Sequence, residues 1–208
     1  MDSSPRHADT PSAAATLVAA DRWKLWSTLV RGLGHQLANA SQMLTLEPVP
    51  HGALEEARER VGHAIEMLGA FRPAGSTGPV LLPAVIDSLD RLQRLQMEYP
   101  ATPLAVTLDP GLPAIEGTPD DLTHLILGMI TLLKHAARDR RADLSLSATA
   151  LDDGAIVVVR EGGGAAPPPP GEALTALAES LNGRLEAHGP GAALRLHLPA
   201  WRPARRPA

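Results

Sequence analysis

The sequence predicts an α+β chain: an N-terminal antiparallel helical hairpin, able to close a four-helix bundle as a dimer, followed by a two-layer α/β sandwich. Three observations predict it. Apolar residues recur every three or four positions from about residue 16 to residue 71. The run Arg72–Pro79, Arg-Pro-Ala-Gly-Ser-Thr-Gly-Pro, then breaks that periodicity. Beyond it, helical patterns alternate with short stretches of apolar-polar alternation and turn signals.

Each element has its own signal. Residues 1–15, rich in Ser, Pro, Ala and Asp, read as a disordered lead with no basic-then-apolar signal pattern. From Thr16 to Leu46 no proline interrupts, and Pro48 and Pro50 end the helix. A second helix runs from about Gly52 to Phe71, its apolar face marked by Leu54, Ala57, Val61, Ile65 and Leu68. The short Glu47–His51 connection makes the pair antiparallel. Pro83–Glu98 is a helix with Val85, Leu89, Leu92 and Leu95 on one side, and Leu104–Leu108 is a strand. Thr118, Pro119 and the acids Asp120 and Asp121 form a helix start, opening an apolar helix that runs to about Arg140. Ala142–Ala150 and Ala155–Arg160 are hairpin strands around Asp152-Asp153-Gly154. After a Gly/Pro tract, Gly162–Gly171, a helix covers Glu172–Leu181. Gly183–His188 and Ala192–Leu198 close the chain as a hairpin, and residues 201–208 form a basic, proline-rich tail. The expected units are therefore 16–72 and 80–200.

Composition excludes several functions. Three Trp, one Tyr and one Phe in 208 residues leave a core of aliphatic side chains and argue against stacking on single-stranded nucleic acid. A net charge of −4 provides no field for nucleic acid or anionic membrane. No cysteine is present, which removes disulfides and thiol chemistry and fits a reducing cytoplasm. No apolar run approaches the ~20 residues of a membrane span. The eight histidines show no metal-ligand spacing, so no metal site and no cofactor are expected.

On a wheel of the first helix, Leu29, Leu33, Leu37, Ala40 and Leu44 form one apolar seam. His35 lies about 200° from the centre of that seam, with Thr28, Arg31, Asn39 and Gln42 around it. A solvated imidazole near its ordinary pKa is largely unprotonated at neutral pH and can attack phosphorus. Arg31, one turn before, can bind phosphoryl oxygens, and Asn39, one turn after, can orient the ring. The alternative for a lone exposed histidine is an ordinary polar surface residue.

The string Gly32-Leu-Gly-His35-Gln36-Leu-Ala-Asn39-Ala40 resembles the phosphoacceptor box of sensor histidine kinases, whose pattern is Ala/Gly-x-x-His-Glu-Leu/Ile-x-Asn/Thr-Pro-Leu. Gln36 stands where those kinases carry the acid, and Ala40 where they carry proline. Leu112–Leu122 resembles the approach to their ATP-contacting helix, and Gly183–Pro199 their final hairpin. The resemblance spans residues 22–199. It implies that the sandwich is a histidine-kinase-like ATPase domain whose nucleotide machinery is degraded. The Asn positions of the phosphate-facing helix fall on Gly128 and Leu132, and the adenine-holding Asp-x-Gly motif reads Glu161-Gly162-Gly163. Ala165–Pro170 replaces a much longer glycine-rich lid, and proline has no amide to offer a phosphate.

The resemblance further implies a dimeric phosphorelay histidine phosphotransferase. His35 would exchange a phosphoryl group with response-regulator receiver domains, which would supply the magnesium, and a sensor kinase could stand upstream. Two alternatives accompany it: a non-catalytic scaffold binding receivers or kinases, and a divergent ATP-dependent kinase using Glu161. A two-helix hairpin cannot enclose its own seam, so a homodimer through residues 16–72 is expected; the alternative is that the seam packs on the sandwich.

Overall fold

The computed structural model describes residues 12–46, 51–70, 77–94, 104–136, 143–163, 166–189 and 192–202. Helix α1, Ala13–Leu44, starts earlier than expected because Ser12 caps it, its hydroxyl accepting the Ala15 amide at 3.1 Å. Three alanines, the strongest helix formers, then carry the first turn. Helix α2, Ala53–Ala70, packs along the second half of α1, where Ala40, Ala53 and Ala57 are buried and allow close approach.

Strand β1, Gly78–Leu81, leads directly into helix α3, Leu82–Arg94. The five-stranded sheet is built from β2 (Leu104–Leu108), β4 (Leu144–Leu151), β5 (Gly154–Glu161), β6 (Arg184–His188) and β7 (Ala192–Pro199), in the order β2-β4-β5-β7-β6. Between β2 and β4 lie β3, Ala114–Gly117, and helix α4, Pro119–Ala136. Helix α5, Glu172–Ser180, precedes the closing hairpin. The architecture is the expected one, helices on one face of a mixed sheet.

Two features differ from the sequence reading. β1 and β3 form a separate antiparallel pair that the sequence did not announce, with Val80 opposite Ile115. Four residues are too few to show alternation, and Pro79 is tolerated because the pair has only edges. β2 also runs parallel to β4, joined by the crossover through α4, a pairing that the sequence reading left unassigned. At the far end, Trp201, expected to begin the tail, donates its amide to the Ala114 carbonyl at 2.7 Å. The expected linker at 72–79 and the Glu47–His51 connection lie mostly outside the described residues.

Inward residues of the sheet, among them Leu146, Val157, Val159, Leu194 and Leu196, pack under α4, which is buried continuously from Leu122 to Ile130. A helix apolar all round must be covered on all sides. Part of its cover is α1: Leu29 and Leu33 belong to the same core as the sheet, with Val18, Leu25 and Trp26 packed against it. The first half of α1 therefore lies on α4 and α5, and the second half on α2.

Candidate functional site: an exposed histidine and a cleft under α1

His35 and Arg31 are exposed on α1, and Gln36 and Asn39 are half-buried. The helix fixes their spacing. Arg31 and Asn39 flank His35 by one turn on each side, so any group reaching the imidazole meets a guanidinium and a carboxamide within one helical face. Helical spacing puts Arg31, His35 and Asn39 on one face, whereas Gln36 lies about 100° around the helix from His35.

The expected seam is divided. Leu29, Leu33 and Ala40 are buried, but Leu37 and Leu44 are exposed. They continue a different row, Trp23, Val30, Leu37 and Leu44, spaced by seven residues and solvent-exposed throughout, Trp23 by 75%. Among the described side chains of α2, Leu54, Val61 and Ile65 are exposed, with Leu54 at 65% and Ile65 at 64%. The hairpin thus leaves a band of aliphatic surface uncovered in the single chain.

Two residues of the expected nucleotide site, Gly128 and Leu132, line a cleft of about 390 Å³ between α1, α4 and α5. Gly128 lies at its floor in contact range of Leu174; a Cβ placed on Gly128 would stand 2.7 Å from a Leu174 methyl. Leu174 thus takes the space that a side chain at position 128 would need. Leu132 lines the cleft, and α1 roofs it with Asp21, Lys24, Leu25 and Thr28. Glu161 is not among the residues lining it. Its carboxylate is buried and turned onto its own loop, where Oε1 accepts the Gly163 amide at 2.9 Å. Thr131 and His135 also line the cleft; the sequence reading did not single them out.

Two consecutive residues of α1 fasten it to α4. Asp21 meets the fully buried His124, Oδ2 to Nε2 at 2.9 Å, and Arg22 pairs with Asp121. The second His124 nitrogen, Nδ1, is buried without a hydrogen-bond partner. Asp121 also accepts the Thr118 hydroxyl at 2.8 Å while its amide donates to the same oxygen at 3.1 Å, which is the expected helix start. The sequence analysis missed this latch. Its only trace is a pair of opposite charges on α1 and an acid and a histidine three apart on α4.

Among the described residues no cluster of His, Cys, Asp and Glu could hold a metal ion, and no helix is long and apolar enough to cross a membrane. No family model matches the chain, and no curated protein matches it. Among solved structures it is similar to a histidine kinase from Burkholderia phymatum, at 15% identity over 88% of this chain and 98% of that one, with a TM-score of 0.49. It is similar to the histidine kinase AdeS of Acinetobacter baumannii at 13% identity, over 83% and 98%, with a TM-score of 0.47. The ATP-binding domain of PrrB from Mycobacterium tuberculosis matches at 22% identity, over 62% and 100%, with a TM-score of 0.44.

Proposed function

We propose that this chain is a histidine phosphotransferase of a two-component phosphorelay, acting as a homodimer and without a nucleotide of its own. The observation that carries the reading is the contrast between its two halves. His35 stands exposed on a long helix, while the cleft that would hold ATP carries Gly128 and Leu132 at the expected Asn positions, has Leu174 against Gly128, and is roofed by α1. A kinase needs both; a relay needs only the histidine.

In the proposed reaction a ring nitrogen of neutral His35 attacks the phosphorus of an aspartyl phosphate on a receiver domain. The new P–N bond forms as the P–O bond to the carboxylate breaks. The carboxylate leaves with that electron pair, and the ring releases its other N–H proton to solvent. The reverse steps hand the group to a second receiver. Such a transition state asks mainly for alignment and charge neutralisation, which Arg31 and the partner's divalent cation can supply. The uncovered apolar band of α1 and α2 supports the dimer, since a second hairpin would enclose it.

Gln36, in the place of the kinase acid, favours a second reading: a scaffold that binds receivers without transfer. Incubation with a panel of phosphorylated receiver domains separates the readings. Label on the wild type and none on His35→Gln supports the relay. Binding without label supports the scaffold. Label from magnesium-ATP alone overturns both and makes the chain a kinase.

A further inference from the structure

The helices pack on one face of the five-stranded sheet, and alternation along the strands turns the remaining side chains to the other face. There Ser145, Thr149, Arg160, Arg184 and His188 are exposed. The charged residues of that outer face are Arg160 on β5, Arg195 on β7, and Arg184 with Glu186 on β6. Three cations against one anion reverse, locally, the sign of a chain whose net charge is −4. The one carboxylate is already engaged. Glu186 lies opposite Arg195 in the β6–β7 register, yet its oxygens meet Arg184 at 3.0 Å and His197 at 3.8 Å. Arg195 meets the His188 ring instead, Nη2 to Nε2 at 2.7 Å, and its Nε is buried without a hydrogen-bond partner. Histidine brings no negative charge, so that contact leaves the charge of Arg195 uncancelled. The register pairs Arg160 with Ala193 and Arg195 with Val158, so the two arginines are diagonal neighbours, their Cβ atoms about 7 Å apart. Among the described residues no carboxylate pairs with either.

From this we infer that the outer face of the sheet, centred on Arg160 and Arg195, docks an acidic segment of a partner protein. The inference is independent of the relay reading, because the sheet separates this face from α4, α5 and the first half of α1. Charge and spacing commit the occupant. Each guanidinium can hold a carboxylate through paired N–H donors. In an extended chain, side chains two residues apart stand about 6.6 Å from one another on the same side, close to the arginine separation. A segment of the pattern acid-x-acid therefore meets both cations at once. Beside them Ile156 and Val158, half-buried, offer an apolar centre, and Ser145 and Ser147 on β4 offer hydroxyls. Nucleic acid suits the face less well, since Glu186 repels phosphates and these strands carry no Phe, Tyr or Trp to stack a base. The face measures about 20 Å by about 17 Å, roughly 350 Å². That is below the ~800 Å² a side of a stable complex, so the association is transient and weakened by salt.

The test uses the full-length chain and two fluorescent probes read by anisotropy: a peptide with an Asp-Val-Glu-Val-Glu core, and an oligothymidine of matching charge. Arg160→Gln with Arg195→Gln removes both charges while Gln keeps a donor for His188. Arg160→Glu alone alters an exposed side chain and carries the test if circular dichroism shows the double variant unfolded. Arg202→Gln removes a cation at an exposed site outside the sheet. The expected result is saturable peptide binding that weakens with salt, its Kd raised about tenfold in the face variants and unchanged in Arg202→Gln. Absence of saturable peptide binding to the wild type overturns the proposal. So does a wild-type Kd in the folded face variants, which would leave the arginines as a solvated surface. Oligothymidine bound more tightly than the peptide, through the same arginines, overturns the acidic protein as occupant and makes the face a site for nucleic acid.

Discussion

Gly128 and Leu174 share one space in the cleft, so a side chain introduced at position 128 competes with a neighbour already in place. The Leu174 methyls already stand where a Cβ would go. Gly128→Asn must push Leu174 out of a position where it is nearly buried, and overpacking of this kind costs about 1–3 kcal/mol. A lower Tm in thermal melts, with no shift on adding magnesium-ATP, is the expected outcome; a rise in Tm with nucleotide would show that the cleft still accepts it. His35 is the opposite case. It is solvent-exposed, so His35→Gln should leave stability within about 0.5 kcal/mol of wild type in denaturant melts while abolishing phosphoryl acceptance. His35 was legible in the sequence because a helix wheel separates wet from dry faces. Leu174 was not, because its contact with Gly128 joins two helices far apart in the chain.

At the scale of the element, α1 performs two tasks that its periodicity presents as one. The sequence showed a single seam, Leu29 to Leu44, but the structure assigns Leu29 and Leu33 to the core of the sandwich and Ala40 to α2. A helix of 32 residues is long enough to serve two neighbours, and a hydrophobic period does not say which neighbour covers which turn. The polar groups that hold its first half were equally illegible, since Asp21 and Arg22 find partners a hundred positions away. Their contribution can be measured. Asp21→Ala leaves both ring nitrogens of fully buried His124 without a protein partner, a loss of about 1–3 kcal/mol. Amide hydrogen exchange should rise in the first half of α1 more than in α2. Equal protection in the wild type and Asp21→Ala would mean that the apolar contacts of Leu25, Trp26 and Leu29 alone hold the helix down.

At the scale of the whole molecule, the sandwich was legible because its hairpins and helix starts are local signals, whereas the parallel β2–β4 pairing and the β1–β3 pair were not, since register across a crossover is set by tertiary packing. The chain as folded is a sandwich joined to a two-helix hairpin that leaves apolar residues exposed, and the proposed homodimer rests on that surface. Leu37 and Leu44 on α1, with Leu54, Val61 and Ile65 on α2, remain in water although each is worth roughly 1–2 kcal/mol if fully buried. A second hairpin covers them all at once, and the sandwich core of each copy does not depend on it. Replacing Leu37 and Val61 together by Glu places four like charges at the centre of the assembled bundle, two from each chain, which the dimer cannot solvate. Light scattering should then report the mass of one chain where the wild type gives two. Because both side chains are already exposed in the single chain, the β-sheet signal in circular dichroism should persist in the monomer. A wild type that runs as a monomer at micromolar concentration would remove the bundle, and the exposed heptad row would then need a different partner.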